Sequence, residues 1–201
     1  MIAINYYLHS VFEMREKNIF TWENGLHDFL NPKNIITPIV ELPPKMNPYY
    51  QDGVRIFAKL LNTLPLNNVK SIPAFTMLND TKTDLSKIHT ITENSSGNTV
   101  LSLAVIGKLF GIETTKAFVS NEVTIGKLKL LRLFWVVPMV NREPICPDPN
   151  DKTSGIYKAI KLWKKNWRYN PWQYHNENNP KAHYEITWPQ IYDQLDGNIQ
   201  L

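Results

Sequence analysis

The chain has 201 residues, 43% hydrophobic and 20% charged, with a formal net charge of +4. That length suits one large domain or one and a half small ones, and the composition is that of a globule able to bury a core. It excludes a low-complexity chain, and so mild a charge gives no reason to expect a nucleic-acid partner.

The one cysteine, Cys146, has no partner for an internal disulfide, which fits a reducing compartment. It lies among Glu143, Pro144, Pro147 and Asp148 with no neighbouring histidine, a poor setting for a catalytic thiolate. No apolar run approaches membrane-spanning length, and the first residues make neither a convincing secretion signal nor a transit peptide. The expectation is a cytoplasmic protein that binds no membrane.

Along the chain, Met1 to Lys33 gives no clear assignment. Asn34–Pro43 reads as a turn and a short strand, and Asn47–Gly53 as a loop. Val54–Leu61 follows as an apolar strand ending in the turn Asn62–Asn68. Pro73 sits where the first helical position is expected after Ser71, and Ala74–Leu78 continue that helix. Ile88–Thr92 is β-branched and predicts a strand. It feeds the turn Ser95–Thr99 and an apolar helix from Val100 to Phe110, closed by Gly111 as a left-handed cap. Thr115–Val119 predicts a strand, Thr124 caps a helix from Ile125 to Phe134, and Trp135–Val140 is again a strand. Asn141–Asp151, with Pro144, Pro147 and Pro149, reads as a solvated linker that includes Glu143, Asp148 and Asp151. Ser154–Trp167 predicts a helix whose solvated face carries Lys161, Lys164, Lys165 and Arg168. Trp163, Trp167, Trp172 and Trp188 are expected to plug a core or an interface. A last helix spans about Lys181 to Leu195, and Asn198–Leu201 reads as the start of a strand.

Strands alternating with helices predict an α/β fold: an open, mostly parallel twisted sheet with helices on both faces. Ligands on such sheets bind at the carboxyl ends of strands, where loops turn into helices. Lys70 and the segment Ser95–Thr99 both fall at such places.

A lysine becomes a covalent catalyst when its amine is neutral and condenses with an aldehyde. Lys70 precedes a helix start, whose positive end disfavours the ammonium form. The plain alternative is a surface lysine. In Ser95-Ser96-Gly97-Asn98-Thr99, the glycine permits a tight bend that turns amides inward, and the hydroxyls and helix dipole complete a seat for a carboxylate or phosphate. The alternative is an ordinary helix cap. His175 and His183, with Glu177 and Glu185, do not share one ligand face, so no metal site is expected.

In order and setting these segments resemble the cysteine synthase and cystathionine β-synthase group of pyridoxal-phosphate enzymes, the tryptophan synthase β-like fold (fold type II). That family's NTPLVEL is matched by Ile36-Thr37-Pro38-Ile39-Val40-Glu41-Leu42. Its AKxE strand end and NPxGSVKDRxAxxM run are echoed from Ala58-Lys59-Leu60-Leu61 to Asn68-Val69-Lys70-Ser71-Ile72-Pro73-Ala74-Phe75-Thr76-Met77. Its TSGNTG corresponds to Ser95-Ser96-Gly97-Asn98-Thr99-Val100. Its QFxNPxNPxxHxxTTGPEIW is echoed from Gln173 through His183 to Tyr192. The matches are collinear from Ile36 to the end of the chain.

The resemblance implies pyridoxal 5'-phosphate as cofactor, with Lys70 as the Schiff-base and proton-transfer lysine. It implies that Asn98 hydrogen-bonds the cofactor's ring hydroxyl. Ser95, Ser96 and Thr99 would grip the substrate's α-carboxylate, with Gln173 closing over it. The implied activity is β-replacement or β-elimination on an O-activated serine-type amino acid, a small substrate. Departures stand beside this. Ser71-Ile72 replaces the Asp-Arg pair after the lysine, Val100 replaces a glycine, and Pro43–Asp52 is an unusual insertion.

The family's later glycine-rich phosphate loop, GTGGT, has no counterpart before Leu201. The expectation is therefore a fold lacking most of its large domain, with weak cofactor binding and little or no turnover by the chain alone. Residues 1–57 would contribute to the large domain, 58–143 would form the small α/β domain with Lys70 and the bend, and 144–201 would be linker and incomplete cofactor domain. A homodimer or a completing chain is the partner expected. The alternative is a non-catalytic shortened paralogue that acts as a binding or interaction protein through its open sheet edge.

Overall fold

A computed structural model of the chain describes residues 19–144 and 148–200. Its centre is a four-stranded parallel sheet of order β5-β4-β3-β6, made of β3 (Thr90–Asn94), β4 (Thr114–Ser120), β5 (Val136–Asn141) and β6 (Arg168–Tyr169). A separate antiparallel pair joins β1 (Ile39–Glu41) to β2 (Phe57–Lys59). The apolar run Val54–Leu61 is therefore mostly not strand: only its middle pairs, and Leu61–Thr63 turns as a 3-10 segment.

The helices follow their chemical signals closely. After the short α1 (Gly25–Leu30), α2 (Ser71–Asn79) carries Pro73 in its first turn, where a missing N–H costs nothing. In α3 (Asn98–Gly107) Val100, Leu103, Ala104 and Ile106 are buried, and a 3-10 turn leads to Gly111 at φ 75°, a left-handed close that glycine adopts without strain. Thr124 Oγ1 accepts from Lys127 N at 3.4 Å and starts α4 (Ile125–Leu133). Ser154 Oγ accepts from Tyr157 N at 3.2 Å and starts α5 (Gly155–Trp163).

Residues alternate across each strand, and the two faces are covered differently. One face buries Ile91 of β3 with α2 and α3, among Phe75, Met77, Leu78, Leu103 and Ile106. Further along the same face Ala117, Val119 and Val136 pack with Val100, Ala104 and Leu131 of α4. On the opposite face, α5 packs against β3 and β4, with Thr92 Oγ1 donating to Ala159 O at 3.2 Å.

The chain after Asn141 returns to this sheet: β6 hydrogen-bonds β3 at Thr90 and Ile91 only. α5 stops at Trp163, short of the predicted Trp167, because Trp167 takes φ 63° and turns the chain into β6. Arg168 is consequently half-buried on a strand and is no part of a solvated helix face. Of the four late tryptophans, Trp163, Trp167 and Trp188 are exposed, and Trp172 alone is half-buried.

The closing helical stretch is broken into α6 (Asn178–Ala182), a π turn over His183–Thr187, and α7 (Trp188–Gln194). Lys59 ties it to the antiparallel pair: its Nζ donates to Thr37 O (2.8 Å), Gln190 Oε1 (3.0 Å) and Gln194 Oε1 (2.6 Å). Residues 198–200 form no strand, contrary to the sequence expectation, because Asp196 and Gly197 both take positive φ and turn the chain away. Cys146 lies outside the described residues. No helix among the described residues is long and apolar enough to cross a membrane.

Candidate active site

Because the sheet is parallel, the carboxyl ends of β3, β4 and β5 share one edge, and the bend Ser95–Thr99 leaves β3 there, whereas Lys70, expected at such a strand end, follows the separate antiparallel pair instead. β3 runs straight into the bend. Ser95 N donates to Phe118 O of β4 at 3.2 Å, and Ser95 Oγ accepts from Gly97 N at 3.3 Å, so the turn is closed on itself and anchored to the neighbouring strand. Ser95 and Ser96 are half-buried, Asn98 is exposed at the first turn of α3, and Thr99 is buried.

Gly97 stands at the bend expected there, without a left-handed φ. Its φ is −142°, and a Cβ placed on it meets nothing within 4 Å. The space in front of Gly97 is open, and it lies at a helix start, where first-turn amides are the groups that bind anions.

Lys70 precedes α2 with φ −74° and is half-buried. Among the described residues its Nζ has no hydrogen-bond or ion-pair partner. The loop before it is held firmly. Asn67 adopts φ 52°, which asparagine tolerates, and Asn68 is buried. Asn68 Nδ2 donates to Leu66 O at 2.7 Å, its Oδ1 accepts from Ser102 Oγ at 3.2 Å, and its carbonyl accepts from Ser71 Oγ at 2.8 Å. Ser102 stands one helical turn beyond Asn98, on the same face of α3. The Asn68–Ser102 bond therefore lays the Lys70 loop along the face that Asn98 begins.

His183, in the π turn, faces Lys70. Burial and then the positive charge of Lys70 hold its imidazole below the usual histidine range, and its Nδ1 lies 2.9 Å from Thr187 Oγ1. From sequence, His183 had been only a helix position shared with the family.

Gln173 closes the other side. β6 ends early, so its continuation runs beside the last residues of β3. Gln173 Nε2 donates to Asn94 O (3.0 Å) and its Oε1 accepts from Thr99 Oγ1 (2.9 Å), joining strand end to helix start. Asn179 Nδ2 donates to Gln173 O at 2.8 Å. Beneath it lies Glu93, 1% exposed. Its Oε1 accepts from Asn94 N (2.9 Å) and its Oε2 from Gln173 N (3.1 Å). Burial pushes this carboxyl up to about 7, with the amides of Gln173, Asn94 and Trp172 pulling it partly back.

On the α5 side of the bend a cavity of about 120 Å³ is lined by Asn94, Ser95, Ser96, Ser120, Glu143 and Tyr174, among others. Glu143, expected in a solvated linker, is buried instead. Its carboxylate accepts from Gly155 N at the start of α5 and its carbonyl from Ser120 Oγ, so a carboxylate serves the positive end of that helix.

The structure thus bonds Thr99 to Gln173, sets Ser95 and Ser96 in the bend just before that helix start, and ties the Lys70 loop to the same helix through Asn68 and Ser102. Glu93 was missed. Its signal in the sequence was a charged residue inside a β-branched strand that a parallel sheet covers on both faces.

Comparison with known proteins decides the lineage. Residues 30–201 match the family described as "Pyridoxal-phosphate dependent enzyme". The chain belongs to that family. A cysteine synthase of Aquifex aeolicus is 28% identical over 200 residues, covering 92% of this chain and 59% of the relative. Cysteine synthase B of Escherichia coli is 26% identical over 166 residues, covering 81% of this chain and 52% of the relative. Among solved structures, a hydrogen sulfide-producing enzyme from Fusobacterium nucleatum aligns with a TM-score of 0.68 and 24% identity, over 85% of this chain and 54% of that one. An O-acetylserine dependent cystathionine β-synthase from Helicobacter pylori gives the same score and identity over 85% and 55%. The fold is that of the tryptophan synthase β-like, pyridoxal-phosphate group. The chain spans little more than half the length of these relatives.

The residues present fit the cofactor that this family uses. A half-buried amine without an acceptor of its own, an exposed amide at a helix start and open space in front of Gly97 make a donor set suited to a carbonyl-bearing, anionic ring.

Proposed function

We propose that this chain supplies the lysine and the carboxylate seat of a pyridoxal-phosphate-dependent site for β-replacement or β-elimination on an O-activated serine-type amino acid, as in cysteine synthases. The observation that carries this reading is the Asn68–Ser102 bond, which sets the Lys70 loop against the helix bearing Asn98 and Thr99. Two buried polar side chains that satisfy each other hold the Lys70 loop against that helix start, which is where the proposed site needs the amine.

Each residue then has a definite task. Lys70 holds the cofactor through Nζ, and the same nitrogen takes the proton from the substrate's Cα and returns it. When bound, the cofactor supplies the electron sink that makes the Cα proton removable. Asn98 donates its amide to the ring oxygen. Ser95 and Ser96 offer hydroxyls, and the first turn of α3 offers amides, to the substrate carboxylate. Thr99 and Gln173, hydrogen-bonded to each other, exchange that bond for the carboxylate and so close the bend over it. His183, kept neutral by burial and by the charge of Lys70, brings no second cation against the amine.

Titration of the purified chain with pyridoxal phosphate tests this. The wild type should develop a saturable near-visible absorbance that Lys70→Ala lacks. A spectrum unchanged by Lys70→Ala, or no saturable absorbance in the wild type, would overturn the reading.

A further inference from the structure

Glu93 takes no part in the chemistry above, yet it is the charged group most deeply placed in the site. Three observations converge on it. Its side chain is 1% exposed, on the same sheet face as Ile91, which α2 and α3 cover, and opposite Ala117 in the register of β4. Its two oxygens divide their acceptance: Oε1 takes the amide of Asn94, at the head of the bend, and Oε2 takes the amide of Gln173. And Gln173 is the residue whose side chain spans Asn94 O and Thr99 Oγ1. One carboxyl thus fixes the backbone at both ends of the bridge that closes the bend.

The backbone around it is arranged for that purpose. Trp172 takes φ 51°, an unfavourable conformation for a bulky residue. It turns the Gln173 amide toward Glu93, while the Trp172 amide donates to Asn170 Oδ1 at 2.7 Å. The Trp172 indole nitrogen is buried without a partner, so this loop is held in place against two local costs. Glu93 accepts the bond that ties this loop to the end of β3, beside the loop's own bonds through Asn170, Asn176 and Asn179.

We propose that Glu93 is the positioning residue of the bend: its carboxyl, bonded to the amides of Asn94 and Gln173, sets Gln173 against Thr99, and its ionisation loosens that closure. The carboxylate-seat role of the bend rests on the proposed function; the clamp itself does not.

The sign follows from where the charge sits. Closed, the carboxyl is shut away from water, and burial pushes it up to about 7. Opened, with residues 170–175 lifted, it is hydrated and titrates in the ordinary carboxylate range, about 4.3. The closed form therefore holds the proton more tightly, and rising pH favours opening, by at most about tenfold per pH unit between those limits. The groups around it do not cancel this. From β6, Tyr169 is raised first by its own burial and also by the Glu93 charge, with its hydroxyl on Thr81. The neighbouring β4 residue, Ala117, and the α3 residues Val100, Leu103 and Ala104 carry no charge. The α2 residues Met77 and Leu78 carry none either. Among the described residues no lysine, arginine or histidine is ion-paired with Glu93.

The test is amide hydrogen exchange of the full chain between pH 4.5 and 8, without cofactor, each rate corrected for its intrinsic pH dependence. In the wild type the protection of Gln173 and Asn94 should fall as pH rises toward 7, by up to about tenfold per unit. Gln173→Ala, which breaks the link to Thr99 but keeps the backbone bonds to Glu93, should show the same fall. Glu93→Gln should be flat across the range. Wild-type protection that is flat, or a fall that persists in Glu93→Gln, overturns the proposal. Should Glu93→Gln fail to fold, the wild-type and Gln173→Ala profiles decide alone. Because no cofactor is present, failure of the Lys70 reading leaves this result standing, and failure here leaves the Lys70 spectrum untouched.

Discussion

At the scale of single residues, this site is a contrast between two ionisable groups. Lys70 stands half-buried without an acceptor, whereas Glu93 is buried and bonded to two amides. Burial alone does not pick out chemistry: Lys59 also lies partly buried and is lowered by desolvation, but three acceptors occupy its amine and make it a structural tie. The buried carboxyl has a measurable consequence for stability. The folded chain keeps the Glu93 proton up to about 7, while an unfolded chain loses it near the ordinary carboxylate range. Through that window the folded state binds more protons, so stability falls as pH rises, by at most about 1.4 kcal/mol per unit. Thermal unfolding of wild type and Glu93→Gln should show the wild type losing ground steadily from about pH 4.5 to about pH 7. A difference independent of pH would contradict the assignment. The motif residues Lys70, Ser95, Ser96, Asn98, Thr99 and Gln173 were picked out by their order in the chain, and the roles given to them are proposals. Glu93 and Glu143 were not: a charge in a β-branched strand signals burial for Glu93, but neither carboxylate carries a local mark of which amides will meet it.

Among the elements, helix starts and stops were legible because capping is local. Thr124, Ser154 and Gly111 each act within one turn of where they stand. Strand pairing is not local, and there the sequence misled. Val54–Leu61 has the composition of a core strand, yet only Phe57–Lys59 pairs, antiparallel and outside the main sheet. Arg168 looked like helix because it extends a basic run, but the left-handed turn at Trp167 hands it to β6. The least replaceable junction is where α5 meets the sheet. A Cβ on Gly155 would strike Asn94 Nδ2 and Glu143 Oε1, and would lie 3.0 Å from Phe118 Cβ. Gly155→Ala should therefore destabilise the chain by about 1–3 kcal/mol in denaturant unfolding, by forcing apart the helix start and the strand that leads into the bend. An unchanged midpoint would mean that this junction is looser than it is drawn.

The whole molecule is an α/β sheet whose carboxyl edge gathers groups that lie far apart in sequence. Strand–helix alternation predicted the parallel sheet; the order β5-β4-β3-β6 could not be read from it, since β6 joins only through two residues of β3. That late arrival is what brings Gln173 beside Asn94 and Thr99. The family match over residues 30–201 and the coverage of about half of each relative place this chain in a known lineage while leaving its own activity to be measured. The central claim is that one lysine, of all those on this surface, is the cofactor's amine. Borohydride reduction of the full chain with limiting pyridoxal phosphate, followed by peptide mass mapping, tests it most directly. The account predicts that the reduced adduct concentrates on Lys70; an adduct spread over exposed lysines such as Lys161, Lys164 and Lys165, with Lys70 unmodified, would contradict it.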